Sequence, residues 1–140
     1  MNTTTIFVSC VGAKRPHPCA ARDLYTSSWF LKARKYAEHY GTNWYILSAK
    51  FGLLLPGEIV EPYDLTLNTM PSSERRQWSM KVFEQIRQQS VHKTVEILAG
   101  EKYRSYLVPL MEKDRYKITV PMKGLGIGQQ LQWLSGSTYF

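Results

Sequence analysis

Apolar and polar positions along the chain follow two alternating periods. Thr5-Ile6-Phe7-Val8 is a short apolar, β-branched run suited to a buried strand. Trp44-Tyr45-Ile46-Leu47, Thr94-Val95-Glu96-Ile97-Leu98 and Tyr116-Lys117-Ile118-Thr119-Val120 repeat that signal. Between these runs, apolar residues recur at helical spacing. Trp29, Phe30, Ala33, Tyr36, Ala37 and Tyr40 predict a first helix, with Ser27 or Ser28 near its cap and Gly41 as its stop. Ser72 or Ser73 is placed to cap a second, whose buried stripe is Trp78, Val82 and Ile86. A third is expected from Glu101 to Lys113, with Tyr103, Tyr106, Leu107 and Leu110 on one side, and a last from Gly128 to Leu134. Strands joined by helix-length crossovers predict a parallel sheet with helices on both faces and right-handed connections. The expected fold is a single three-layer α/β/α domain over residues 1–140, with a mainly parallel sheet of about four strands.

Two stretches escape both periods. Val11 to Asp23 is a loop broken by Gly12, Pro16 and Pro18, and Lys50 to Pro71 carries Gly52, Pro56, Gly57 and Pro62. A loop as long as the second is usually functional.

Composition narrows the partners. Eighteen Lys+Arg against eleven Asp+Glu give a formal net charge of +7, which favours DNA, a nucleotide or another polyanion. Cys10 and Cys19 are too few for a disulfide framework, and neither CxxC nor a zinc-type Cys/His grouping occurs. His17, His39 and His92 have no metal or triad spacing, so no metal or cofactor is expected. The N-terminus lacks the pattern of a signal peptide, and no apolar run reaches membrane-spanning length. A cytoplasmic protein without a membrane partner is the expectation; the oligomeric state is not legible.

In a parallel sheet the C-terminal strand ends share one edge, where open α/β folds collect ligand-binding groups. Two strands end in nearly the same cassette, Val8-Ser9-Cys10 running to Lys14 and Leu47-Ser48-Ala49-Lys50 running to Gly52. Lys14 and Lys50 offer positive charge there, and the hydroxyls of Ser9 and Ser48 offer contacts to phosphate or sugar oxygens. Each serine also reads as a plain strand end and each lysine as a solvated charge. Gly124-Leu125-Gly126-Ile127-Gly128-Gln129 opens the last helix, either as an anion nest or as a tight turn. It is not the dinucleotide fingerprint, because Gln129 stands where the third glycine of GxGxxG would fall.

Within the long loop, Glu61-Pro62-Tyr63-Asp64 is the candidate source of a catalytic carboxylate. Tyr63 offers a stacking face and Asp64 an acid that could stabilise oxocarbenium character or activate water at a glycosidic bond. The plainer alternative is an Asp that organises a turn beneath a packed Tyr63. Cys10 reads as a nucleophile or as a small buried filler. Tyr25 faces the cleft or staples the first helix, and Glu101 is either a dipole charge or a second acid.

Ser9-Cys10 with Lys14, Asp23-Leu24-Tyr25, Ser48-Ala49-Lys50-Phe51-Gly52-Leu53, Pro62-Tyr63-Asp64, Gly100-x-x-Tyr103 and Gly124-x-Gly126-Ile127-Gly128 together resemble a family of small bacterial and phage proteins. That family is distantly similar to the YaaA peroxide-stress proteins and to uracil-DNA-glycosylase-like modules. The resemblance implies DNA binding and a link to DNA damage. The Gly-x-Asp-Pro-Tyr water-activating motif of typical uracil-DNA glycosylases is absent.

The expected function is an N-glycosidase-like, DNA base-processing enzyme acting on a modified or damaged base. Asp64 and Lys50 would be catalytic, Lys50 either contacting phosphate or leaving base or serving as a Schiff-base amine. Ser9, Cys10, Lys14, Tyr25, Ser48, Tyr63, Gly100, Tyr103, Gly126 and Gly128 would bind substrate, and Arg75, Arg76 and Arg87 would meet nucleic acid. A non-enzymatic DNA-binding module of YaaA type and a small-nucleotide N-glycosidase or transferase are the alternatives.

Overall fold

A computed structural model describes residues 3–10 and 12–140. The elements in chain order are β1 (Thr5–Ser9), β2 (Cys19–Ala20), α1 (Ala21–Leu24), α2 (Ser28–Tyr40), β3 (Asn43–Ser48), β4 (Gly52–Leu54) and β5 (Ile59–Val60). A 3₁₀ turn (Leu67–Thr69), α3 (Ser72–Arg87), β6 (Thr94–Leu98), α4 (Glu101–Arg104), α5 (Leu107–Lys113), β7 (Lys117–Thr119) and α6 (Ile127–Ser137) complete it. The fold is mixed α/β, built on a five-stranded, mostly parallel sheet of order β4-β3-β1-β6-β7. β1 pairs in parallel with β3 and β6, and β6 with β7; only β4 runs antiparallel, against β3.

Strand alternation sends neighbouring side chains of β1 into different apolar clusters. Ile6 and Val8 pack with Leu24, Phe30, Tyr36 and Leu134, drawn from α1, α2 and α6. Phe7 packs with Leu47, Trp78, Val82, Ile86, Leu107 and Met111, drawn from β3, α3 and α5. The centre of β1 is completely buried, which fixes its C-terminal end, Ser9-Cys10, in the middle of the sheet edge.

Three features depart from the expected pattern. The fifth strand, β4, arises because the chain reverses tightly after Ser48, whose Oγ accepts the Phe51 N–H at 3.1 Å. Gly52 takes φ +75° in that reversal, a left-handed conformation that suits glycine, and Gln85 secures it through bonds to Leu53 N–H and Phe51 C=O. The helix expected over 101–113 is broken at Ser105-Tyr106. Pro109 explains the break, since a proline in a helix interior clashes with the carbonyl four residues earlier. The break also changes the buried face, to Tyr103, Leu107 and Met111, leaving Tyr106 and Leu110 half-buried. Finally, Pro71, not Ser72 or Ser73, occupies the cap position of α3, and no side chain caps it. A small antiparallel pair, β2 with β5, ties the first loop to the long one. Among the described residues, no helix is long and apolar enough to cross a membrane.

Candidate functional site

The strand order reverses direction at β1: the chain crosses to β3 on one side and reaches β6 and β7 on the other. Such a switch point leaves a crevice outside the C-terminal strand ends. Here a hollow of about 360 Å³ is lined by Ser9 and Gly12 after β1, Ser27 and Trp29 at the start of α2, Gly100 after β6, and Ile127 and Gln130 at the start of α6. Its size lies within the range of about 300–1,000 Å³ common for small-molecule sites. An adjoining hollow of about 390 Å³ shares Gly100 and Gln130 and adds Glu101, Arg104, Gly124 and Gly126.

Two helix N-termini converge on the crevice. Ser27 caps α2, its Oγ accepting the Phe30 N–H at 3.2 Å. Gln130 joins the two helices, accepting the Trp29 indole N–H at 2.9 Å and donating to Leu125 C=O at 2.8 Å. At α6, Gln129 Oε1 accepts the Gly126 N–H, while the Gln130 N–H returns to Gly126 C=O. The amides of Ile127, Gly128 and Gln129 have no partner among the described residues, as the geometry of a helix start requires. Ser9 is 97% buried on the crevice floor, being 3% exposed, and its hydroxyl has no hydrogen-bond partner among the described residues.

Beside this crevice lies a polar cluster under the β1 and β3 ends. Tyr63 is its hub: its Oη accepts from Ser48 Oγ at 2.7 Å, lies 2.9 Å from Tyr25 Oη and 3.4 Å from Cys10 Sγ. Cys10 Sγ also donates to Leu47 C=O at 3.0 Å. The Lys14 ammonium sits 4.5 Å from the Tyr63 ring centre and 5.8 Å from that of Tyr25, a cation–π arrangement that roofs the cluster. Burial pushes the Cys10 thiol up to about 11, against the opposing pull of the Tyr25 and Tyr63 hydroxyls and the Lys14 charge. Tyr25 and Tyr63 are raised further, again mainly by burial. At neutral pH the cluster is therefore an uncharged hydroxyl and thiol network, and Cys10 is not an activated thiolate.

The two cassettes expected from sequence do meet: the Cys10 N–H donates to Leu47 C=O, next to Ser48. The remaining expected residues scatter. Tyr25 is wholly buried, its ring against Phe30 and Tyr63, so it offers no stacking face. Tyr103 is a core aromatic, edge-on to Trp78 at 5.5 Å, with its hydroxyl buried near Leu67 and Thr66 without a well-formed hydrogen bond. Asp64 is exposed and has no hydrogen bond or ion pair among the described residues. Lys50 is exposed, its ammonium 5.3 Å from the Phe51 ring centre. Gly100 is the cap residue of α4, and Gly126 and Gly128 open α6.

Arg75 and Arg76 flank the Tyr106 ring at 5.7 and 4.9 Å, and the Arg76 guanidinium pulls the Tyr106 hydroxyl below its ordinary value. Arg87 lies at the far end of α3, paired with Glu84 at 3.5 Å. Sequence reasoning did not single out Gly12, Trp29 or Gln130 as site residues, and named Ile127 only within the terminal glycine motif. Trp29 fitted the apolar stripe of α2 and was indistinguishable from core. Among the described residues, no group of three or more His, Cys, Asp or Glu is placed to hold a metal ion.

Comparison with known proteins gives a relative in Bacillus subtilis and a family of unknown function. The chain is 35% identical over 126 residues to the Uncharacterized protein YfjM of Bacillus subtilis (strain 168), covering 84% of this chain and 79% of that protein. No solved structure matches the chain. Neither a YaaA protein nor a uracil-DNA glycosylase is named by these matches. Residues 5–136 match the Family of unknown function (DUF6884), and the chain belongs to that family.

Proposed function

We propose that this protein processes bases in DNA, binding a nucleotide unit at the C-terminal strand ends and cleaving the N-glycosidic bond of a modified or damaged base. What carries the reading is the switch-point crevice, where loops after β1 and β6 and the N-termini of α2 and α6 converge beside the Tyr63 cluster. Helix N-termini, with first-turn amides that have no partner among the described residues, suit a phosphate, and the net charge of +7 suits a polyanion. The resemblance of the strand-end and loop motifs to YaaA and uracil-DNA-glycosylase-like proteins supports DNA as the partner.

In this mechanism the target nucleotide leaves the base stack and enters the strand-end region, at the cost of unstacking. Asp64, whose carboxylate has no partner among the described residues, stabilises the developing oxocarbenium or activates water for attack at the sugar C1′. The C1′–N bond breaks, its electron pair leaving with the base, and the incoming water supplies the hydroxyl at C1′ while its proton passes, by way of Asp64 or solvent, to the departing base. Lys14 and Lys50 face phosphate or the departing base.

The test is incubation with genomic and phage DNAs that carry different modified bases, with mass spectrometry of released bases. Release that persists unchanged in Asp64→Asn removes the assigned carboxylate. Salt-dependent DNA binding without release favours the second reading, a non-enzymatic DNA-binding module, for which the observation is the grouping of exposed Arg76 with half-buried Arg75 and Tyr106.

A further inference from the structure

The crevice brings together a glycine-rich edge, a serine of low exposure and a half-buried tryptophan that also packs against the core. Gly100 and Gly126 have φ −69° and −72°, values that any residue adopts. A Cβ added at Gly100 or Gly128 would meet no atom within 4 Å, and one at Gly126 would meet only Gln129 Oε1, at 3.9 Å. Backbone conformation and internal packing leave room for a side chain at all three positions, and only the capping of α4 by Gly100 and of α6 by Gly126 favours glycine there on structural grounds. Gly100 and Gly126 keep open space over the hollows, and Gly128 keeps it beside the amides that begin α6. Ser9, 3% exposed and with no hydrogen-bond partner among the described residues, lines the same crevice. Trp29 forms an apolar wall, its indole held in place by Gln130.

We infer that this crevice binds one nucleoside 5′-monophosphate unit: its ring lies on Trp29, its phosphate takes the amides of Ile127, Gly128 and Gln129, and Ser9 donates to the sugar or base. The chemistry of each part matches. Base–aromatic stacking tolerates any base because all have a π-face. The N–H groups at a helix start stabilise a phosphate through hydrogen bonds and the helix dipole. Glycine at two positions of the turn lets phosphate oxygens approach the backbone, which a side chain would block. The inference rests on the nucleotide reading above but not on bond cleavage, and it moves the base from Tyr63 to Trp29.

Calorimetric titration with deoxynucleoside 5′-monophosphates, deoxynucleosides and inorganic phosphate tests it on the wild type, Trp29→Ala and Trp29→Phe. Monophosphates should bind, with nucleosides weaker by about tenfold or more, because they lack the charge-assisted bonds to phosphate. Trp29→Ala should weaken monophosphate binding by about tenfold or more, whereas Trp29→Phe, which keeps a stacking face, should stay within about threefold of wild type. Far-UV circular dichroism of both variants guards against misfolding, and Trp29→Phe carries the comparison if Trp29→Ala does not fold. Wild type that binds no monophosphate, nucleosides that bind as tightly as monophosphates, or affinity indifferent to Trp29→Ala would each overturn the inference. So would a Trp29→Phe affinity as poor as that of nucleosides when Trp29→Ala is unfolded. Monophosphate binding that depends on Trp29 while no DNA releases a base overturns the glycosidase alone. Base release that persists unchanged in a folded Trp29→Ala overturns the ring site alone.

Discussion

Gly100→Ala separates the ligand role of the crevice from its structural role. The residue has φ −69° and ψ 167°, so alanine fits the backbone, and its added methyl meets no protein atom within 4 Å. Two small stability effects oppose each other. Removing glycine from the unfolded chain favours the folded state by about 0.4–1 kcal/mol. Glycine is the better residue at a helix cap by roughly half a kcal/mol or more, which offsets this. The net change should lie within about 0.5 kcal/mol, which for a chain of this size moves Tm by no more than about 2–3 °C. Gly100 lines both adjoining hollows, so the methyl occupies ligand space. A group of that size in a fitted pocket should weaken deoxynucleoside 5′-monophosphate binding by about tenfold or more. Thermal denaturation by circular dichroism and calorimetric titration on the same sample read both quantities. Unchanged affinity with unchanged Tm would refute the placement of ligand in the crevice, and a Tm fall of about 5 °C or more would show that glycine has a structural reason there.

Tyr63→Phe removes the hub hydroxyl from Ser48, Tyr25 and Cys10, leaving buried polar groups unsatisfied. It should cost about 1–3 kcal/mol in urea denaturation, and a cost near zero would mean the network contributes nothing net. The Cys10 thiol is raised from 9.0 to about 11, so the unfolded chain ionises first. Its contribution to stability, at most roughly 3 kcal/mol, is intact below about pH 9 and disappears by about pH 11. Urea midpoints measured through that range should fall with rising pH, and a Cys10→Ala variant should fall less steeply. For DNA affinity, Arg75→Ala with Arg76→Ala should reduce the log–log salt slope by about one for each phosphate that is no longer neutralised, while Arg87→Ala, already paired to Glu84, should leave it unchanged. Equal effects of the three arginines would place the nucleic acid along the whole of α3.

Much of the fold was legible because its signals are local. The β-branched runs at Thr5, Trp44, Thr94 and Tyr116 mark the four parallel strands, and Trp78, Val82 and Ile86 mark the buried stripe of α3. β4 was not legible, since three residues, Gly52-Leu53-Leu54, carry too little periodicity and the strand depends on pairing with β3. The break near Ser105 was available from Pro109, but the apolar spacing on either side of it masked it. At the site, sequence located the strand-end cassettes because a parallel sheet forces them onto one edge. It could not separate Trp29 from core or Tyr25 from a cleft residue, because both occupy apolar positions whose exposure is set by distant elements. The separation of Asp64 and Lys50 from the buried hydroxyl network likewise follows from loop geometry that no local pattern encodes.

The central claim is that a nucleotide sits in the crevice between the ends of β1 and β6. Amide chemical-shift mapping during titration of the ¹⁵N-labelled protein with a deoxynucleoside 5′-monophosphate tests it most directly. Saturable shifts should concentrate at Gly100, Ile127, Gly128 and Gln129 and at the Trp29 indole N–H, with Arg87 and its neighbours still. Shifts absent there, or confined to the Arg75, Arg76 and Tyr106 surface, would contradict it.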